Sequence, residues 1–227
     1  MSIVSSFSQR GAKQQAGSVK DEKEIYFRSR VISGSSNQDR ISLTVDELQQ
    51  LTEKSEHQII IFDVNGEYDT AFSESRHEIA ASEPDHGNRE EMYRHTWLDE
   101  DICGTLCKPA EAEQLCEQIF GCAKTRRRIH VVNLAQVPKD QQPEVVDSIL
   151  GFHCQTLKLP NPCSNRPATL FVLEEAHRIS AVAPDGETVT SLTNLERLAA
   201  QGRAFGVSLW LSTPEPSELS HRLRANL

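Results

Sequence analysis

The stretch that decides the fold is Thr169 to Ile179, TLFVLEEAHRI. Its four apolar residues, Leu170 to Leu173, form a continuous run, which reads as a strand buried on both faces of a parallel sheet. Glu174 and Glu175 follow at once and are delivered to the C-terminal edge of that strand, where open α/β sheets hold their ligands. Two adjacent carboxylates there suit a nucleotide hydrolase, one supporting Mg²⁺ and the other polarising a water. They equally suit a solvated strand end running into a helix through Ala176 and His177. The segment alone leaves both readings open.

Working outward, similar units recur on both sides. Ile25 to Ser33 is β-compatible and runs into Gly34; Ile41, Leu43, Val45, Leu48 and Leu51 carry helical spacing up to Lys54. QIIIFDVNGEY, residues 58 to 68, is a second buried run that ends at Asp63 and turns through Asn65-Gly66. Strand, turn, helix and strand make a βαβ unit with a right-handed crossover expected. Residues 73 to 100 are polar and weakly patterned, an excursion at the sheet's edge. Pro109 opens a helix to Phe120, IHVVNL gives a third strand over 129 to 134, and Pro143 opens a further helix. After the central strand, a helix over 189 to 201 stops at Gly202, a fifth strand covers Gly206 to Leu211, and a short helical piece spans Glu218 to Ala225. This alternation predicts an α/β chain, a three-layer sandwich around a mostly parallel sheet.

Composition narrows the class. The chain has 227 residues and a net charge of −9, with 37% hydrophobic and 25% charged residues. That length suits one α/β domain behind a flexible arm over residues 1 to 22. An acidic chain does not coat nucleic acid through its overall field, so any DNA contact is local. No apolar run reaches membrane-spanning length and the polar start lacks a signal-peptide core, so a cytoplasmic protein without a membrane partner is expected. The six cysteines include no C-x-x-C pair; packed thiols are expected, with a zinc site at Cys103, Cys107, Cys116 and Cys122 as the lesser option. Arg126, Arg127 and Arg128 fit a phosphate-contacting patch or a solvated loop.

The motif order is strand, G-S-S-N-Q-D-R-I and helix; then IIIFDVNGEY, VVNL, FVLEEAHRI and LERLAAQGRAFGVSLWLSTPEPSELSHRLRAN. In this order the chain resembles the HerA/FtsK class of P-loop ATPases, and within it the HerA branch of DNA helicases and translocases. The resemblance covers roughly residues 25 to 226, so that 23–227 is expected to be a HerA-like ATPase domain, shortened at its C-terminal end. It rests on the GEY turn, the EEAH at the central strand's end and the GRAFGV segment. It implies an ATP- and Mg²⁺-binding domain of a ring-forming DNA translocase or helicase. Glu174 would support the metal, Glu175 would activate water, and Arg203 would reach the neighbouring subunit's nucleotide as an arginine finger. Asp63 and Glu67 would flank the nucleotide.

The phosphate loop departs from that pattern. G-x-x-x-x-G-K-[ST] needs glycines for backbone approach, a lysine for charge and a hydroxyl for Mg²⁺. In register, Gly34, Ser35 and Ser36 begin the loop, Asp39 holds the second glycine's slot, Arg40 replaces lysine, and Ile41 replaces the hydroxyl, with Ser42 one residue late. After the last strand, Ser212-Thr213-Pro214-Glu215 stands where the family carries S-Q-R-P. Two functions follow as expectations. One is a divergent ATPase that moves DNA, impaired by its loop; the other is a pseudo-ATPase interaction subunit that scaffolds a homo- or hetero-oligomeric ring or donates Arg203 to it.

Overall fold

The computed structural model describes residues 28–54, 57–72, 93–98, 109–120, 129–157, 169–180 and 193–227. In chain order the elements are β1 (Arg30–Ser33), α1 (Asn37–Lys54), β2 (Gln58–Asp63), β3 (Tyr93–Trp97), α2 (Pro109–Phe120), β4 (Ile129–Asn133) and α3 (Gln142–Leu157). There follow β5 (Thr169–Leu173), α4 (Ala176–Ile179), α5 (Thr193–Gln201), β6 (Val207–Thr213) and α6 (His221–Asn226). The six strands form one sheet in the order β1-β6-β5-β2-β4-β3, and every neighbouring pair is parallel. The expected α/β class and three layers are what the chain adopts.

The layers follow from the period of two along each strand. Ile59 and Ile61 of β2, Leu170 and Val172 of β5, and Trp210 of β6 pack on one face against Ile41, Val45, Leu48 and Leu51 of α1. Ile60 and Phe62, Phe171 and Leu173, and Leu209 and Leu211 pack on the other, against α2, α3, α5 and α6. A buried strand must be apolar on both faces, which is why these runs lack alternation. The change of face reflects chain direction: β1 feeds α1 and crosses rightward along the strand order to β2, whereas the connections from β3 onward, through α2, α3 and α5, return leftward on the opposite side. Strand ends next to such a reversal open a crevice at their C-terminal edge.

The edge strand β1 is anchored by a fully buried indole. Trp210 Nε1 donates to the Arg28 carbonyl at 3.2 Å, and the Arg30 guanidinium lies 3.8 Å over the ring while pairing with Glu47. Such a stack adds cation–π attraction to the area that the indole buries.

One expectation needs correction. Residues 73 to 100 read as a polar excursion, and five strands were expected, yet β3 lies within that stretch and pairs with β4 at the sheet's outer edge. An edge strand is flanked on one side only, so YRHTW needs no apolar run to hold its place. The N-terminal arm, Arg126 to Arg128 and Cys103, Cys107 and Cys122 lie outside the described residues. Cys116 is buried on α2, and no cluster of three metal-ligating side chains occurs among the described residues.

Candidate functional site

Alternation along the strands also assembles the site. Asp63 ends β2, Asn133 ends β4, Glu174 follows β5 and Ser212 stands one residue before the end of β6. Each has the parity that faces α1, and all four are buried. The first turn of α1 sits above them. Residues that are far apart in sequence therefore meet at one edge of the sheet.

The turn from β1 into α1 is shorter than the expected phosphate loop. Only residues 34–36 lie between strand and helix, and α1 begins at Asn37. Ser36 caps it: its Oγ accepts the Asp39 N–H at 3.2 Å and its carbonyl accepts the Arg40 N–H at 3.3 Å. This is the N-cap arrangement in which a hydroxyl satisfies a first-turn donor that has no helical partner. The Asp39 N–H, a first-turn donor of the kind an anion would use, is thereby engaged within the chain. Gly34 lies outside the positive-φ region, and a Cβ there would meet Arg40 Cγ at an ordinary 3.6 Å. Nothing in its geometry calls for glycine. Ser35 and Ser42 are exposed.

Arg40 is buried, at 3% exposure, with its charge turned inward. Its Nε donates to Ser212 Oγ at 3.2 Å, one terminal nitrogen to the Gly34 carbonyl at 2.6 Å, and the other to Asn37 Oδ1 at 2.7 Å. That last nitrogen also pairs with Glu175 Oε1. Glu175 has φ 47° and ψ 44°, the left-handed region that a non-glycine residue enters only under constraint. Its second oxygen lies 3.5 Å from His177 Nε2, and His177 Nδ1 is 3.2 Å from Thr213 Oγ1.

Glu174 is fully buried and differently engaged. Its oxygens accept from the Val64 N–H at 3.2 Å, Asn65 Nδ2 at 3.3 Å and Asn37 Nδ2 at 3.1 Å. Asn37 Nδ2 also reaches Glu67, tying the GEY turn to α1. Burial first, and then the charge of Asp63 and a hydrogen bond to it, push the Glu174 carboxyl up to about 8. Its protonated form is thereby favoured well beyond the usual carboxylate range.

Asp63 works on the backbone. It accepts from the N–H groups of Gly66 at 2.7 Å, Glu67 at 3.1 Å and Tyr68 at 3.0 Å. Gly66 has φ 80°, and a Cβ there would come within 3.1 Å of Asn133 Nδ2. This turn does require glycine. Tyr68 is wholly buried beneath it, and desolvation raises its phenol far above the ordinary range.

Mg²⁺ prefers ionised carboxylate oxygens within a shell that keeps several waters. Glu174, buried and with three N–H donors already on its oxygens, does not fit that role; Ile41 offers no hydroxyl. Glu175, expected to orient a water, is engaged by Arg40. Arg203 is exposed in the 3₁₀ turn Gly202–Phe205, at the start of β6. The seven residues of β6 separate it from the cluster, roughly 20 Å at ~3.3 Å per residue. Within one chain the two do not meet.

Several members of this network carried no role in the sequence reading: Asn65, His177, Arg178, Ser212 and Thr213. Arg178 joins the cluster to α3, donating to Asn65 Oδ1 at 3.1 Å and to Gln142 Oε1 at 3.4 Å. A signal for the short turn was present in Ser36-Asn37-Gln38-Asp39, the S-x-x-D pattern of a helix start ahead of an apolar run.

No family model matches the chain, and no curated protein does. Among solved structures it is similar to Thermomonospora curvata EccC (ATPases 2 and 3) in complex with a signal sequence peptide, with TM-score 0.41 and 12% identity over 89% of this chain and 30% of that one. It is also similar to the cytoplasmic domain of EssC, with TM-score 0.31 and 14% identity over 76% of this chain and 30% of that one. A third is EssC (ATPases 2 and 3) from Geobacillus thermodenitrificans, with TM-score 0.26 and 15% identity over 78% and 31%. The chain spans under a third of each of these proteins. Likenesses this shallow decide nothing about individual residues, and the site is read from its own geometry. No helix among the described residues is long and apolar enough to cross a membrane.

Proposed function

We infer that the chain is a pseudo-ATPase: a domain of P-loop ATPase descent that does not hydrolyse ATP and serves as an interaction subunit in a homo- or hetero-oligomeric ring. The inward-turned Arg40 carries this reading. In a nucleotide site the cation at that position offers its charge to phosphate; here all three guanidinium nitrogens are taken by the chain. The capped three-residue turn and the buried Glu174, its oxygens engaged by donors of the chain itself, support the same conclusion. HerA-type descent rests on the order of motifs along the chain. The competing reading, a DNA translocase or helicase using ATP and Mg²⁺ through Glu174 and Glu175, needs the first carboxylate ionised and the second free to face water. Titrating the chain with ATP and Mg²⁺ by calorimetry is expected to give no saturable heat up to millimolar nucleotide. Saturable, Mg²⁺-dependent binding with turnover would restore the DNA motor.

Within a mixed ring, Arg203 serves the nucleotide site of an active partner subunit. Arg203 is exposed at the opposite end of the sheet from its own cluster, so a nucleotide it meets is one held by a neighbour, and a guanidinium forks readily onto phosphate oxygens. Arg203→Ala is expected to lower the turnover of an active partner about 10³-fold while the complex still assembles. An unchanged rate in an intact complex would remove this role.

A further inference from the structure

The short links around Arg40 join its own helix start and the turn before it to two segments that are remote in sequence. Gly34 directly follows β1, Ser212 belongs to β6, Glu175 to the turn after β5, and Asn37 to the start of α1. One planar group thus meets an acceptor from each of these four segments. From Glu175 the chain of contacts continues to His177 and Thr213, which returns it to β6. Glu175 keeps its left-handed backbone with an ion pair at one carboxylate oxygen and the imidazole at the other. The acceptors are a carbonyl, an amide oxygen, a hydroxyl and a carboxylate, arranged around a forked donor. A lysine ammonium, a point charge on a flexible stem, cannot meet all four.

We propose that Arg40 is a built-in ligand of its own site: its side chain occupies a guanidinium-selective cavity at the C-terminal edge of the sheet and holds the ends of β1, β5 and β6 together with no external ligand. The edge is closed constitutively. A subunit of this kind presents one conformation to its partners whatever the nucleotide concentration. The proposal goes beyond the absence of hydrolysis, since it states what took the place of a ligand.

Chemical rescue tests it. Arg40→Ala removes the cation and leaves Glu175 Oε1 without its guanidinium partner, beside the space that the side chain vacates. Its Tm is expected to fall by about 10 °C, the loss typical of breaking a buried pair in a domain of this size. Guanidinium chloride at millimolar concentration, far below denaturing levels, is expected to raise the Tm of the variant by about 3–6 °C at ten times its dissociation constant. Equal sodium chloride should not do so, nor should guanidinium act on wild type or on Arg40→Ala/Glu175→Ala. A wild-type Tm in Arg40→Ala, or an equal gain from sodium chloride, overturns the proposal. Should Arg40→Ala fail to fold, Arg40→Lys decides: a Tm clearly below wild type supports the forked geometry, and an unchanged Tm overturns it. ATP binding by the wild-type chain would sink the pseudo-ATPase reading without touching the rescue result. Absence of rescue would sink the clamp without restoring hydrolysis.

Discussion

Asp63→Ala is expected to destabilise the chain by about 4 kcal/mol, read as a lowered urea midpoint. The three N–H groups of Gly66, Glu67 and Tyr68 converge on this one side chain. Hydrogen bonds to a charged acceptor contribute about 1.5–3 kcal/mol each, and a buried donor left without a partner costs about 1–3 kcal/mol. The Tyr68 N–H is buried, so water cannot replace the lost oxygen there. Part of the loss is offset, because Glu174 is relieved of the neighbouring charge that helps to keep it protonated. Asp63→Asn should fall between, since its amide oxygen can serve two of the donors while its NH₂ faces the third. A loss below about 1 kcal/mol in Asp63→Ala would mean that the 64–68 turn is held by something else, and the account of Asp63 would be wrong.

Glu174→Gln is expected to remove a pH dependence and to stabilise the protein in alkali. The Glu174 carboxyl is raised from 4.5 to about 8 in the folded chain, chiefly by burial. The folded state therefore binds the proton more tightly than the unfolded state does. The corresponding stability is fully present below pH 4.5 and is lost as pH rises towards 8. At 1.36 kcal/mol per unit the loss is of order 4 kcal/mol. Glutamine mimics the protonated carboxyl in part: its oxygen can accept from Asn37 and Asn65, which share one carboxylate oxygen, while its NH₂ takes the place of the oxygen that accepts from Val64. The lost Val64 bond lowers the variant's stability by a similar amount at every pH, so relative to wild type the variant should gain steadily from pH 4.5 to pH 8.5. Parallel stability curves across this range would show that Glu174 is ionised in the folded chain. That outcome would also reopen the metal-supporting role that the resemblance implies.

The alkaline test bears on how far a sequence carries a site. The double glutamate at the end of β5 was legible because a run of residues apolar on both faces has to be an interior strand, and its end has to reach the sheet's edge. The same logic located β2, β4 and β6. It failed for β3, whose polar composition is permitted at an edge, and for the phosphate-loop register, where one glycine and one cation aligned with a pattern that the backbone does not follow. Ser36 and Asp39 held the better local signal, since a helix cap requires only residues three apart.

What the sequence by itself determined is the layered α/β fold and the delivery of Asp63, Glu174 and Ser212 to one side of one edge, because buried runs and a period of two are local properties. The state of those groups was decided only by the tertiary structure. Arg40 finds Glu175 across 135 positions and Ser212 across 172, and Asn37 finds Glu174 across 137. Desolvation and neighbouring charge then set whether a carboxyl keeps its proton. An arginine three residues into a helix reads as a cation facing a ligand; packed among four acceptors, it becomes the group that fills the site.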